Sequence, residues 1–365
     1  ERRWPDELER LNQLGHANLD AIEEAVARYR IDADFERTGT LSVAVEPHQV
    51  EWLAGPSTEE SRFLDESGVR AEIHSPAVLA GRWDTRETAL VHPAKLAAGL
   101  ARVARGLGVE IFEHSPVRRL DDDRDAVQLR TDGGTVRATR VVLATNAFPS
   151  LLKRNRLMTV PVYDYVLMTE PLSAAQLASI GWRNRQGLAD LANQFHYSRL
   201  TADNRILFGG YDAIYVAGGR IRPGYEDRPA TFTRLASHFL TFFPQLEGVR
   251  ISHRWAGVID TSTRFCAFYG TARRGRIAYA AGYTGLGVAA TRFAADVMLD
   301  KLDGLTTEIT ELRMVRERPL PFPPEPVASI GINLTRRSLD RADHREGRRD
   351  LLLKTLDALG LGFDS

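Results

Sequence analysis

The sequence contains the segment Arg276-Ile-Ala-Tyr-Ala-Ala-Gly-Tyr-Thr-Gly-Leu-Gly-Val-Ala-Ala-Thr-Arg-Phe-Ala-Ala-Asp-Val-Met-Leu299. Its apolar run Ile277–Ala281 predicts a buried strand, Gly282, Gly285 and Gly287 interrupt that run, and a helical pattern follows. A helix that starts at such a turn presents unpaired backbone N–H groups and the positive end of its dipole. Since glycine lets a flat or anionic ligand approach the backbone closely, we expect an electron-rich ligand here. A packing turn between strand and helix is the alternative.

Composition restricts the class of protein. A chain of 365 residues with 43% hydrophobic content can bury a large core and predicts two interwoven domains. The 48 basic and 48 acidic residues balance, so no electrostatic feature favours nucleic acid or an anionic membrane as partner. The single cysteine, Cys266, excludes an internal disulfide and fits a reducing compartment. No apolar run approaches the roughly 20 residues that a membrane span needs, so we expect a soluble, cytoplasmic protein. We expect no metal site.

The remaining chain alternates helical and strand patterns before and after a change near Leu157. We predict a first helix over Arg3–Arg30, a helix led by His92-Pro93, and a hairpin around Asp132-Gly-Gly134. Strands are predicted at Leu41–Glu46, Val109–Phe112, Ala126–Leu129, Thr135–Ala138, Arg140–Ala147, Val160–Met168, Gln194–Arg199, Arg205–Phe208 and Ile251–Val258. The long strands after Leu157 indicate a mixed or antiparallel sheet, and the chain closes with a proline-rich arm and a basic helix.

Three segments together resemble the D-amino-acid-oxidase-like family of FAD-dependent oxidoreductases. Val91–Val117 is similar to the helix and strand on the adenine side, Val141–Ala147 to the second strand end that contacts the dinucleotide, and Ala281–Val288 to the C-terminal flavin turn. Their order and spacing fit the family over about residues 2–302. Within the family the chain looks nearest to amine oxidases of the gamma-glutamylputrescine oxidase and glycine oxidase types.

The resemblance implies a mixed α/β fold: a Rossmann-like FAD-binding domain with an inserted mixed β-sheet domain for substrate. We expect 1–156 to be FAD-binding, interleaved with substrate-domain elements near 30–90. Residues 157–260 would form the substrate sheet, 261–302 would return to the FAD-binding domain, and 303–365 would form the arm and tail helix.

One expected part of the family pattern has no counterpart in this sequence. No Gly-x-Gly-x-x-Gly occurs, although that motif, in the first βαβ unit, receives the FAD pyrophosphate. We therefore expect the first βαβ unit to be lacking from the sequence shown, and an exposed groove beside Val117 and Ala144–Ala147. Without that unit the chain would bind FAD poorly.

The resemblance also implies roles for individual residues. The catalytic contribution would come from backbone N–H groups at Gly285, Leu286 and Gly287, which stabilise negative charge on the reduced flavin ring. Cys266 does not lie where relatives with covalent flavin place their linking cysteine, so FAD is expected to be non-covalent. The predicted cofactor-binding residues are Val117, Ala144, Thr145, Asn146, Ala147, Gly282, Tyr283, Thr284, Gly285, Leu286, Gly287 and Val288.

Substrate recognition is expected to depart from that of amino-acid oxidases. In those relatives an arginine that binds the substrate carboxylate lies two positions after a Trp-Ala-Gly-like segment. Here the segment is Trp255-Ala-Gly257, and the residue two positions after it is Ile259. An apolar side chain cannot pair with a carboxylate, so either the substrate lacks one or Arg199 substitutes. Phe195 and Tyr197 lie on one face of a predicted strand, and His196 lies on the other face. The two rings either attract an amine cation or are core residues of the sheet. We expect His196 to be a structural or surface histidine and not a base. The predicted substrate-binding residues are Phe195, Tyr197, Arg199, Trp255, Ile259 and Tyr283.

We therefore expect an FAD-dependent amine or amino-acid oxidoreductase that transfers a hydride from substrate to flavin N5, with oxygen as acceptor. The expected partners are a small-molecule amine and either oxygen or an electron carrier. Two alternatives stay open: a flavin dehydrogenase that passes electrons to a carrier, and a non-catalytic fragment that has lost flavin. The sequence does not name the amine or the oligomeric state.

Overall fold

The computed structural model describes residues 3–361. The helices are α1 (Leu8–Arg28), α2 (Val50–Leu53), α3 (Glu66–Glu72), α4 (Pro93–Gly106), α5 (Ala174–Ile180), α6 (Pro229–Phe242), α7 (Gly287–Asp303), α8 (Glu308–Glu311), α9 (Arg313–Arg316), α10 (Val327–Asp343) and α11 (Leu351–Ala358). The first helix and the helix after Pro93 were predicted, because each carries an apolar stripe at helical spacing.

The strands are β1 (Thr40–Ala44), β2 (Ser61–Leu64), β3 (Ala80–Asp84), β4 (Arg119–Asp123), β5 (Ala126–Arg130), β6 (Thr135–Ala138), β7 (Val141–Leu143), β8 (Thr159–Thr169), β9 (Gly187–Asp190), β10 (His196–Leu200), β11 (Ile206–Gly210), β12 (Ile214–Tyr215), β13 (Ile251–Ser262), β14 (Phe268–Ala272) and β15 (Ile277–Ala281). They form one nine-stranded sheet and two three-stranded sheets.

The chain divides into two compact units. The first comprises residues 1–33, 93–161 and 259–328, and the second comprises residues 34–92, 162–258 and 329–365. Each unit is therefore assembled from three separated segments of sequence. The domain limits expected from the sequence stay a prediction.

In the first unit, a small sheet in the order β14–β15–β7 carries the glycine turn. β15 runs parallel to β7, with Ile277 opposite Val141, and antiparallel to β14. Ala278 and Ala280 pack on one side of β15 with α7, while Ile277 and Tyr279 pack on the other side in a separate apolar cluster. A strand buried on both faces explains the continuous apolar run in the sequence.

The predicted strand Val109–Phe112 is wrong. The chain leaves α4 through Gly108, whose φ is +90°, and residues 109–112 have no strand structure. Val109 and Phe112 are 52% and 72% exposed. A strand must pair with a neighbouring strand, and within residues 3–361 no strand pairs with this segment, so its apolar composition alone does not order it.

The strand β4 was missed in the sequence analysis. Its residues Arg119-Leu-Asp-Asp-Asp123 show little apolar alternation, but it pairs antiparallel with β5 along its whole length. Asp121 accepts a hydrogen bond from Arg130 across the pair at 2.5 Å. Backbone pairing in a local hairpin with β5 therefore defines a strand that propensity does not reveal.

The second unit is built on the nine-stranded sheet in the order β12–β8–β11–β10–β9–β1–β3–β2, with β13 also paired to β8. Only the β1–β9 pair within this path is parallel. One face packs on α6 through a large aromatic core that includes Tyr163, Tyr165, Phe208 and Phe239, each almost fully buried. The mixed sheet predicted after Leu157 is thus present, and it also incorporates β1, β2 and β3.

Candidate functional site

The turn after β15 adopts a conformation that requires its glycines. Gly282, Thr284 and Gly285 have φ values of +78°, +51° and +89°, in the left-handed region that L-residues disfavour. The turn then enters α7, whose N-cap residue Leu286 supplies no side-chain hydrogen bond. The first amides of this 17-residue helix, from Gly287 onward, therefore have neither an intrahelical acceptor nor a side-chain cap.

Asp260, near the end of β13, holds the start of this turn. Its Oδ2 accepts a hydrogen bond from the Gly282 N–H at 2.5 Å, and its Oδ1 accepts one from the Tyr283 N–H at 3.1 Å. Its backbone carbonyl accepts a third bond, from the Thr284 N–H, also at 3.1 Å. The sequence analysis assigned Asp260 no role, since nothing local shows that residues 22 positions apart will meet.

The glycines of the turn serve different purposes. A Cβ on Gly282 would lie 2.8 Å from Ser262 Cβ, so this residue permits close packing inside the protein. A Cβ on Gly285 would meet only Ile259 Cδ1, at 3.9 Å, and one on Gly287 would meet only Tyr283, at 3.6 Å. Gly285 and Gly287 thus leave open space beside free amides, where a flat group could lie against the backbone.

The predicted dinucleotide strand end lies at the same sheet edge. Because β7 and β15 are adjacent and parallel, Ala144–Ala147 and the glycine turn both follow carboxyl ends of neighbouring strands, the usual ligand edge of such sheets. Ala144 and Asn146 are exposed, Thr145 and Ala147 are half-buried, and the Asn146 φ is +48°. Val117 packs against the neighbouring apolar cluster.

These observations fit a flavin dinucleotide. At this edge the first amides of α7 are free, and the absence of side chains at Gly285 and Gly287 leaves space beside them. The end of β7 adds a second segment with exposed small residues. Gly285, Gly287 and Val288 would hold the electron-rich part of the ring, and Ala144–Ala147 the dinucleotide.

In the second unit, the structure brings two of the predicted substrate residues together. The rings of Phe195 and Tyr197 lie with centroids 6.4 Å apart, and Phe195 is 39% exposed. The Tyr197 hydroxyl donates to Asp164 Oδ2 at 2.5 Å, while its ring lies against Gly209 on the next strand. Burial of Tyr197 and the neighbouring Asp164 charge raise the pKa of this phenol well above its ordinary value. Tyr197 is therefore a fixed neutral donor.

Arg199 and Trp255 are placed on strands of the same sheet. The Arg199 Nη1 donates to the backbone carbonyl of Val91 at 2.5 Å, which occupies one end of its guanidinium. Burial lowers the pKa of Arg199 and Glu36 opposes this shift, without making it a group that deprotonates at neutral pH. Trp255 on β13 is 38% exposed.

His196 belongs to a polar cluster on the opposite face of its strand. Its Nδ1 lies 2.6 Å from Asp190 Oδ2, and its Nε2 lies 2.8 Å from His238 Nδ1. The ring also stacks on Tyr211 at 5.4 Å. Of the two interpretations in the sequence analysis, the structure favours a structural histidine, since its side chain is only 11% exposed. The partners Asp190 and His238 were not found from sequence.

The sequence matches the family model of FAD dependent oxidoreductases (DAO) over residues 2–301. The chain belongs to this family, and FAD is the cofactor of the family.

Two relatives and one solved structure illustrate the similarity. The chain is 32% identical to gamma-glutamylputrescine oxidoreductase of Escherichia coli over 303 residues, covering 78% of this chain and 66% of the relative. It is 29% identical to the probable oxidoreductase OrdL of Haemophilus influenzae over 313 residues, covering 82% and 68%. The crystal structure of glycine oxidase from Geobacillus kaustophilus superimposes with a TM-score of 0.68 at 19% identity, covering 84% of this chain and 82% of that one.

The solved structures share the predicted fold, which confirms the mixed α/β class with a Rossmann-like FAD-binding domain. The chain spans about two thirds of the length of the two relatives by sequence. Among residues 3–361, no helix combines the length and apolar character that crossing a membrane requires.

Proposed function

We propose that this protein oxidises the C–N bond of a small amine, with oxygen as electron acceptor. The observation that carries the proposal is the turn at Gly282–Gly287, which Asp260 holds open at the start of α7 with Ile259 beside it. When bound there, FAD accepts a hydride equivalent at N5, and the imine left on the substrate is hydrolysed by water.

The chain's own residues would bind and orient. Amides of Gly285, Gly287 and Val288 stabilise negative charge on the ring, as the donors of an oxyanion hole do. Phe195 and Tyr197 offer aromatic surface to an amine, with Tyr197 fixed by Asp164. No side chain has to act as a base, because a neutral amine can surrender its hydride equivalent directly.

Ile259 favours amines over α-amino acids as substrates. Its side chain lies nearest to the open space at Gly285, where a carboxylate would find no guanidinium from this residue. The two relatives are an oxidoreductase of gamma-glutamylputrescine, which carries an amine, and a probable oxidoreductase. The name of the first of these relatives supports an amine substrate for this chain.

The absorbance spectrum and a peroxide assay test the proposal. We expect the FAD-loaded protein to be yellow and to produce hydrogen peroxide under air with one or more members of a panel of primary and secondary amines. A coloured protein that is reduced by an amine but yields peroxide only in trace amounts would instead support a dehydrogenase. A full-length protein that stays colourless and takes up no added FAD would contradict both functions, whereas weak uptake by a chain without the first βαβ unit would not.

A further inference from the structure

Asp260 is a buried carboxylate without a cationic partner. The residue is 2% exposed, and among residues 3–361 it forms no salt bridge. Burial raises the pKa of its carboxyl group, and the amide bonds from Gly282 and Tyr283 oppose that shift. A buried charge is costly unless hydrogen bonds compensate it, and here the two backbone N–H groups provide that compensation.

The hydrogen-bond pattern identifies the carboxylate as the form that fits. Each oxygen accepts one backbone N–H, at 2.5 Å from Gly282 and at 3.1 Å from Tyr283. Both N–H groups donate to the carboxyl oxygens, and such bonds favour the ionised form because each N–H stabilises its negative charge. The ionised form satisfies both amides, and the charge stays within the turn.

Asp260 also divides the donors of the turn between protein and ligand. Its carboxylate and carbonyl take the amides of Gly282, Tyr283 and Thr284, and the Leu286 N–H bonds to the Tyr283 carbonyl at 3.0 Å. The amides of Gly287, Val288 and Ala289 are left for a ligand, since the Ala290 N–H already bonds to the Leu286 carbonyl. Thr284 keeps a φ of +51°, strained for a β-branched residue, because these bonds hold it there.

We propose that Asp260 is a positioning residue that orders the glycine turn and whose negative charge lowers the reduction potential of the flavin bound there. This inference rests on the proposed function only in placing flavin at the turn. A fixed charge in a site of low dielectric disfavours the extra negative charge of the reduced ring. Without Asp260 the amides of α7 would make the flavin a stronger oxidant.

The test compares D260N with S262A in the FAD-loaded protein. Ser262 is fully buried two residues away, and its hydroxyl donates to the Cys266 carbonyl at 2.9 Å, so S262A removes a buried hydrogen bond beside the turn without changing charge. The readouts are the flavin midpoint potential and the affinity for sulfite, an anion that adds to oxidised flavin. We expect D260N to shift the reduction equilibrium about tenfold, which is about +30 mV for a two-electron couple, and to bind sulfite about tenfold more tightly. S262A should change neither by more than about twofold.

Equal potentials in wild type and D260N, or equal shifts in D260N and S262A, would overturn the inference. If D260N folds but retains no flavin, amide hydrogen exchange of segment 282–287 decides whether Asp260 orders the turn. Faster exchange in D260N than in S262A supports the ordering role, and unchanged protection refutes it. A full-length wild-type protein that takes up no FAD contradicts the proposed function, while the same exchange comparison still tests Asp260.

Discussion

At the scale of single residues, the site depends on where side chains are absent. Gly285 needs glycine for its own backbone, since its φ is +89°, whereas no positive φ applies to Gly287. A side chain at Gly287 would make only ordinary contact with Tyr283. Substitution at Gly287 therefore probes the space for the ligand more cleanly than substitution at Gly285.

We predict that Gly287→Val abolishes flavin occupancy while the fold is kept. The branched side chain would occupy the space beside the first free amides of α7. The flavin-to-protein absorbance ratio and the thermal unfolding temperature measure the two effects. Gly331→Ala, in α10 and with nothing within 4 Å of its added Cβ, is the matched control and should keep flavin. Normal flavin content in Gly287→Val would leave the turn with a packing role only.

We predict that Ile259→Arg shifts substrate preference towards α-amino acids. A charge-assisted bidentate pair contributes about 1.5–3 kcal/mol, so its absence weakens use of α-amino acids by about tenfold to a hundredfold. The shift requires that the new guanidinium fit into the open space beside Gly285, where it can pair with the substrate carboxylate. The measurement is kcat/KM for a panel of amines and amino acids, with Ile259→Leu as a neutral control. Efficient glycine turnover by the unmodified protein, undiminished in Arg199→Ala, would contradict the argument.

At the scale of elements, α4 is fitted to its neighbour at one glycine. A Cβ on Gly99 would overlap Cγ2 of Ile31, which is 5% exposed and cannot move aside easily. Gly106, at the end of the same helix, has nothing within 4 Å of an added Cβ. The two glycines therefore separate packing from helix propensity within a single element.

We predict that Gly99→Ala destabilises the protein and that Gly106→Ala does not. Overpacking costs about 1–3 kcal/mol, which exceeds the gain of about 1 kcal/mol in helix propensity. Gly106→Ala gains propensity without the clash. Free energies of unfolding from denaturant titration compare the two variants, and Gly99→Ala should cost less in an Ile31→Ala background than in the wild type. Equal stabilities of the two alanine variants would show that the chain around Ile31 relaxes freely.

At the scale of the whole molecule, the His196–His238 pair links stability to pH. Burial lowers the pKa of His238 from its usual 6.5 to about 4, helped by His196 and Arg234 and opposed by Asp190. The unfolded chain therefore binds a proton at this residue at a higher pH than the folded protein does. Stability contributed by the neutral ring is complete above pH 6.5 and is lost as the pH falls towards 4.

We predict that His238→Gln makes the free energy of unfolding less dependent on pH between 6.5 and 4. Because His238 is partly exposed, the effect is discounted for screening to about 1–2 kcal/mol across this interval. Denaturant titrations at a series of pH values measure it. His253→Gln replaces an exposed histidine and should leave the wild-type slope. Parallel curves for wild type and His238→Gln would contradict the assignment.

Local sequence determined the features whose cause is local. The strand Ile277–Ala281, the glycine turn and the start of α7 follow from apolar periodicity and from glycine's access to positive φ, so they were predicted with their positions. The family follows from the same segments in their order. The roles of the predicted site residues stay predictions, since they concern ligands.

Tertiary structure decided what depends on partners distant in sequence. Asp260 reaches a turn 22 residues away, and Asp190, His196 and His238 meet from separate elements. Residues 109–112 stay without strand structure despite their composition, because no strand within residues 3–361 pairs with them. Backbone pairing and burial are properties of which segments meet, and a single sequence shows periodicity but not its partners.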